Sequence, residues 1–235
     1  MQRIPACWAL VPAAGVGRRL GGSTPKQFLS IGGRSVLQHT LEALAGCPSV
    51  SGLVVVGDRQ RLSVELEQGI AGKTCLVAEG GRERCHSVLN GLVRLAESVS
   101  VDTWVLVHDA ARPCVRSADI EKLLAEIIGH QTGGLLGIPV SDTVKQIDNN
   151  RLVNSTVDRR RLWRAQTPQL FRLGQLRSAI EDALGAGIEV TDESAAMERA
   201  GWRPKLVEGH ADNIKITGPG DLDLAEFFLR QQGRL

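Results

Sequence analysis

Short apolar runs alternate with helix-length amphipathic stripes from the first residues onward, and nothing else in the chain restricts its fold as strongly. Ala6–Ala13 (ACWALVPA) reads as a buried strand, and Ser35–Ala45 as a helix with Val36, Leu37, Leu41 and Leu44 on one stripe. Leu53–Val56 and Thr74–Val77 predict two further strands. Ser87–Ala96 predicts a helix, Thr103–Val107 (TWVLV) a strand, Ile120–Ile128 a helix and Gly134–Val140 another strand. Strands apolar on both faces must be covered on both faces. This β-α-β order therefore predicts an α/β fold, a mostly parallel sheet flanked by helices.

The pattern changes at Ser141. The segment SDTVKQIDNNRLVNSTVDR (141–159) is polar, with Asn149 and Asn150 at its centre. Asn tolerates left-handed turn geometry, so the segment predicts a β-hairpin that projects from the body as an arm. Beyond it, RAQTPQLF reads as strand or extended chain, Leu173–Ala183 as a helix, and TDESAAMERA as a helix with Thr191 at the N-cap and Ser194 at N3. Lys205–Val207 and Ile214–Thr217 are expected as strands, with a last helix from about Pro219.

Bulk properties remove several function classes. The chain has 235 residues, enough for one large α/β domain. A net charge of +2 gives no support for a nucleic-acid surface, so any anion site must rest on locally placed Arg and Lys. The five cysteines are odd in number and form no C-x-x-C pair, which speaks against a disulfide framework or a structural zinc site. No apolar run approaches the ~18 residues of a membrane span. The expectation is a soluble, reduced, cytoplasmic protein that engages neither nucleic acid nor membrane.

Four stretches can carry chemistry. The first strand ends in VPAAGVGRRLGG, followed by TPKQ. Its glycines let backbone amides approach a phosphate, and Arg18, Arg19 and Lys26 supply charge. No G-K-[ST] closes it, and Leu20 stands where a dinucleotide fingerprint needs its third glycine. The strand TWVLV runs into HDAARP, where Asp109 can hold Mg²⁺ or a substrate hydroxyl and Arg112 a phosphate; Asp109 can equally cap a turn and pair with Arg112. In EGGRERCHSV, amides and Ser87 can meet a ribose or a pyrimidine, although Gly-Gly more often makes an ordinary loop. In EGHADNIKIT, Lys215 lies between Ile214 and Ile216 and points the other way.

These stretches, with PVSDTVK, TVDR, QTPQLF and TDESAAME, occur in order from residue 11 to residue 217. Together they resemble the 2-C-methyl-D-erythritol 4-phosphate cytidylyltransferases of the non-mevalonate isoprenoid pathway. The resemblance implies a Rossmann-like α/β fold of the nucleotidyltransferase superfamily over residues 1–235, with 141–159 as a β-arm subdomain exchanged in a homodimer. It implies CTP and a polyol phosphate as substrates and Mg²⁺ as cofactor. By position, it assigns Arg19 and Lys26 to transition-state stabilisation. Arg159 and Lys215 would act in catalysis and hold the acceptor, with Thr143, Asp109 and Arg112 as further acceptor contacts. Pro12, Ala13, Ala14, Gly15, Gly81, Ser87 and Asp109 would form the CTP pocket, and Asp109 would also bind the metal. Two departures stand out: Arg82 where the family pattern has Asp, and a triple arginine, Arg159–Arg160–Arg161, where one is expected. The length implies a chain without the fusion to the next pathway enzyme.

The chemistry suits such a residue set. A phosphate monoester oxygen is already anionic near neutral pH, its second pKa being about 6, and so needs no general base. It needs charge relief, which lysines and arginines give. Three other readings fit parts of the sequence. A relative using CTP with ribitol 5-phosphate is the nearest. A Rossmann oxidoreductase would need Asp58 as its ribose-binding acid. A non-catalytic nucleotide-binding regulator would have no use for both Lys26 and Lys215.

Overall fold

The structure, a computed structural model, describes residues 6–15, 24–66, 70–218 and 220–235. The strands are β1 (Cys7–Pro12), β2 (Ser30–Ile31), β3 (Arg34–Ser35), β4 (Val50–Val56), β5 (Thr74–Ala78), β6 (Trp104–Val107), β7 (Gly134–Pro139), β8 (Val144–Ile147), β9 (Val153–Val157), β10 (Trp163–Arg172) and β11 (Lys205–Glu208). The α-helices are α1 (Val36–Ala45), α2 (Arg59–Leu66), α3 (Arg84–Ala96), α4 (Ser117–Ile127), α5 (Leu173–Gly185), α6 (Glu193–Arg199) and α7 (Gly220–Gln231).

Seven strands form the main sheet in the order β11-β7-β10-β6-β1-β4-β5. Pairings are parallel except those of β10, which runs antiparallel to both β6 and β7. The run β5-β4-β1-β6 is the doubly wound order, in which the connections reverse direction between β1 and β6. That reversal opens a crevice beyond the carboxyl ends of these two strands.

Alternate strand residues feed two cores, as the period of two requires. Ala9, Val11, Leu53 and Val55 pack with Leu37, Leu41 and Leu44 of α1 and Ile120, Leu123 and Ile127 of α4. Leu10, Val54, Val105 and Val107 pack on the other face with Val88, Leu92 and Leu95 of α3 and with α5 and Met197 of α6. A third, smaller core ties Ala225 and Leu229 of α7 to Ala111, Cys114 and Ile216. α1 starts where Ser35 accepts from the Gln38 amide and Gln38 accepts from Ser35 N–H, a capping box.

Three local expectations need correction. Asp192, not Thr191, caps α6: its carboxylate accepts from the Ala195 amide, so Ser194 sits one position earlier than expected. Ile214–Thr217 is not a strand, yet the alternation holds. Ile216 N–H donates to the Ala111 carbonyl at 2.9 Å, Ile216 is buried, and Lys215 is exposed on the other side. In the hairpin the left-handed residue is Arg151 (φ 63°), while Asp148 Oδ1 accepts from the Asn150 and Leu152 amides. The hairpin itself is present: among the described residues β8 and β9 pair with each other as a separate two-stranded sheet.

Helix α3 lies close on the sheet because residue 91 is glycine. A Cβ there would meet Val56 and Leu10 side chains at 2.7 and 2.8 Å. Gly91→Val should therefore cost about 1–3 kcal/mol through overpacking. The check is a lower urea midpoint with an unchanged slope; an unchanged midpoint would show that α3 can lift from the sheet freely.

Candidate active site

The crevice at the β1/β6 reversal is a cavity of about 830 Å³. β1 delivers Pro12, Ala13, Ala14 and Gly15, the turn after β5 delivers Gly81–Arg84, and β6 delivers Asp109–Ala111. Lys26 and Gln27 enter from a 3₁₀ turn, and Lys215 and Thr217 from the segment before α7. The Gln27 amide donates to the carbonyls of Ala13 (2.7 Å) and Gly15 (2.8 Å), fixing the backbone that follows β1. C=O and N–H point opposite ways across one planar peptide unit, so the Ala14 N–H is turned away from Gln27.

Gly81 permits a tight turn onto α3, since a Cβ there would lie 2.4 Å from that of His86. Its N–H donates to Ser87 Oγ (3.0 Å), and that hydroxyl donates to the Glu83 carbonyl (3.2 Å). Ser87 lines the cavity, but here its hydroxyl braces the turn. Arg82 lines the cavity and pairs with Glu189 outside it.

Asp109 is the centre of the charge arrangement. Its Oδ2 lies 2.9 Å from Lys215 Nζ and 3.3 Å from Arg112 Nε, and its Oδ1 lies 3.2 Å from Arg84 Nε. Burial alone would push this carboxyl up. The cations Arg84, Lys215 and Arg112 outweigh burial and hold it well below the usual carboxylate range. Arg84 also forks onto buried Glu193, with Nη1 and Nη2 at 2.6 and 3.1 Å from its two oxygens. Lys26 Nζ donates to the Ile216 carbonyl at 2.9 Å, next to Lys215.

Neighbouring groups fix this centre. Asp109 N–H donates to Thr167 Oγ1 at 3.0 Å, and His108 Nε2 lies 3.1 Å from the Arg112 carbonyl. A carbonyl only accepts, so Nε2 carries the proton and Nδ1 accepts from the Thr167 hydroxyl. Burial lowers His108 to about 4, so it stays neutral and serves as a brace. Arg112 Nη1 donates to the Asn213 carbonyl and Asn213 to the Thr167 carbonyl, which anchors the segment carrying Lys215.

The cavity therefore brings together Pro12, Ala13, Ala14, Gly15, Lys26, Gly81, Ser87, Asp109 and Lys215, with Arg112 directly behind Asp109. Arg19 lies outside the described residues. Thr143 and Arg159 belong to the arm and do not line the cavity. Arg159 donates to the Ser141 carbonyl at the arm's base, while Arg160 pairs with Asp158 at 2.7 Å. Sequence reading missed Gln27, Arg84, Glu193 and Thr167, all of which lie inside motifs it quoted. Asp58, the candidate ribose acid, instead accepts from the Arg61 amide in the first turn of α2.

Among the described residues, no three His, Cys, Asp or Glu side chains converge as a metal cluster. The acids lining the cavity are Asp109 and Glu83. One or two carboxylates suit a Mg²⁺ ion that arrives already bound to nucleotide phosphates, and in that sense the donor set fits.

A doubly wound sheet with main chain and two lysines around a cleft at its reversal offers phosphates both amides and charge, as a nucleotidyltransferase requires. The comparisons narrow the class. The model of the family IspD, 2-C-methyl-D-erythritol 4-phosphate cytidylyltransferase, matches residues 7–231. The Hahella chejuensis protein of that name is 48% identical over 225 residues, covering 95% of this chain and 93% of its own. That of Pseudomonas aeruginosa PAO1 is also 48% identical, over 226 residues, with 93% and 94% covered. The crystal structure of the Francisella tularensis enzyme aligns with a TM-score of 0.81 at 35% identity, over 95% of this chain and 100% of that one. The chain belongs to the 2-C-methyl-D-erythritol 4-phosphate cytidylyltransferase family.

The neutral His108 gives a pH signature. Its folded pKa lies below the ordinary value of about 6.5, so only the unfolded chain takes up the proton between pH 6.5 and 4. Stability is complete above pH 6.5 and falls on acidification through that window. The loss from His108 is about 3 kcal/mol at most, and buried His39 adds in the same direction. Thermal melts should show a shallower slope over this window for His108→Gln than for the wild type. Equal slopes would mean that His108 is not held neutral.

Proposed function

We propose that this chain transfers the cytidylyl group of CTP to 2-C-methyl-D-erythritol 4-phosphate. An acceptor phosphate oxygen attacks the α-phosphorus, the bond from that phosphorus to the β-bridging oxygen breaks, and pyrophosphate leaves. The observation that carries this reading is the pairing of Lys26 and Lys215 at one cavity with a carboxylate, Asp109, that cations hold ionised. Two dianionic or more highly charged partners must meet there. Cations placed in advance lower that cost without reorganising during the reaction.

The residues divide by role. The backbone of Pro12–Gly15 and Gly81, with Ser87, takes the nucleotide. Arg19, Lys26 and Lys215 relieve charge on the phosphates, and Arg112 and Asp109 orient the acceptor. Mg²⁺ would travel with the triphosphate and be met by Asp109, supplying further charge neutralisation when bound. The chain works as one unit in the cytoplasm, in keeping with five free thiols, of which burial raises Cys7 and Cys114 to about 12. No described helix is long and apolar enough to cross a membrane.

The arm points to a homodimer. A two-stranded ribbon is marginal alone, and this one leaves Ile147, Leu152 and Val153 more than half exposed. Packing on a second copy would cover them and carry Thr143 and Arg159 to the partner's cavity. The acceptor with ribitol in place of methylerythritol is the alternative, because both present a phosphorylated polyol.

Pyrophosphate release should require Mg²⁺ and be much faster with CTP than with ATP or GTP, since a mismatched base leaves buried polar groups unpaired. Equal rates with purine nucleotides would overturn the assignment, and preference for ribitol 5-phosphate would move the acceptor. Lys26→Ala should lower kcat by ~10²-fold or more. Mixing Lys26→Ala with Arg159→Ala protein should restore activity. About half the random dimers are hybrids, each with one intact site, so about a quarter of all sites should work. No recovery after verified subunit exchange would exclude the shared site.

A further inference from the structure

We propose that Glu193 and Arg84 act as a positioning pair: Glu193 holds the Arg84 guanidinium so that its Nε fixes the Asp109 carboxylate toward Lys215. This rests on the function proposed above and adds two residues to which it gives no role, Arg84 in the cavity wall and Glu193 buried against it.

The geometry divides the donors of one guanidinium between two acids. Both terminal nitrogens of Arg84 face the Glu193 oxygens at 2.6 and 3.1 Å, while Nε faces Asp109 Oδ1 at 3.2 Å. Asp109 is left with Oδ2 for Lys215 and Arg112. Each carboxylate oxygen thus has its own partner, and the group cannot rotate without giving up one of them. Arg84 is saturated by two acids, so its charge is engaged inside the protein. Lys215 has one acid and a third of its surface or more in the cleft, and remains able to meet a phosphate.

Glu193 is itself fixed. It is 1% exposed and opens α6, where Asp192 caps the Ala195 amide and Gln169 accepts from the Ser194 amide while donating to Asp192. Gln169 lies on β10, opposite Val107 at the end of β6, two residues before Asp109. Glu193, Arg84 and Asp109 therefore sit on three different elements, the starts of α6 and α3 and the loop after β6, and α6 is tied through Gln169 to the centre of the sheet. Without Glu193, Arg84 would swing to take both Asp109 oxygens and displace Lys215, or would turn to the substrate phosphates.

The test separates positioning from mere support. Arg84→Met leaves the buried Glu193 carboxylate unpaired, and Glu193→Gln leaves Arg84 with Asp109 as its one acid; each should lower Tm. The double variant removes both charges, so its Tm should climb back toward that of the wild type. Its kcat should nevertheless stay about tenfold to a hundredfold low, with KM for CTP changed less, because Asp109 has lost its guide. Acylation of the Lys215 amine at pH 8, read by peptide mass spectrometry, should quicken by about threefold as its anionic partner drifts. Return of kcat together with Tm overturns the proposal. If the double variant does not fold, wild-type kcat and labelling in Glu193→Gln overturn it. If the wild type turns over none of the substrates, the function above has failed instead, and an unchanged labelling rate then overturns this inference separately.

Discussion

A carboxylate that is almost wholly buried cannot remain ionised without counter-charge, and Asp109 obtains it from three directions at once. Leaving such a charge unpaired costs about 3–5 kcal/mol, which the fold must prevent. Arg84 is the first residue of α3, Arg112 comes from the same loop as Asp109, and Lys215 from near the far end of the chain. Meeting at one acid holds all three segments in place. The parallel strands carry this acid to the crevice, and the acid in turn gathers the cations that make the crevice useful to an anionic substrate.

The fold was largely legible because its cause is local. Leu10 and Val11 are both apolar and face opposite cores, and that doubling marks a strand covered on both sides. Helix stripes such as Leu37, Leu41 and Leu44 were equally plain. What escaped was set by distance. That QTPQLF would run antiparallel between β6 and β7 depends on neighbours that no window of sequence contains. Ile214–Thr217 has the alternation of a strand but bonds to the Ala111 loop, and alternation reports only which side is buried. At α6 the sequence pattern put the cap at Thr191, and the helix instead begins one residue later, where the Asp192 carboxylate reaches the Ala195 amide.

The site divides in the same way. Lys26, Asp109 and Lys215 stood out because charged residues interrupt apolar or glycine-rich runs. Arg84 and Glu193 did not, because each reads as an ordinary helix-start residue, and their meaning lies in a contact across 109 positions. His108 is the opposite case: its type suggests acid–base chemistry, while its bonds to Thr167 and the Arg112 carbonyl make it a neutral strut. The expected pairing of Asp109 with Arg112 is present, and it proves to be one part of a larger ion network rather than an alternative to a functional role.

The tether from Gln27 to the carbonyls of Ala13 and Gly15 bears on how such a cleft could be inhibited. It makes one wall out of main chain whose course is set from behind. Every amino acid except proline carries the same peptide groups, so exchanging side chains along Ala13–Gly15 for those of any other residue alters bulk without deleting the atoms a ligand would read. A compound that copied the nucleotide at this wall alone would leave few single-residue routes to resistance, and those would run through Gln27 or through crowding by a larger neighbour.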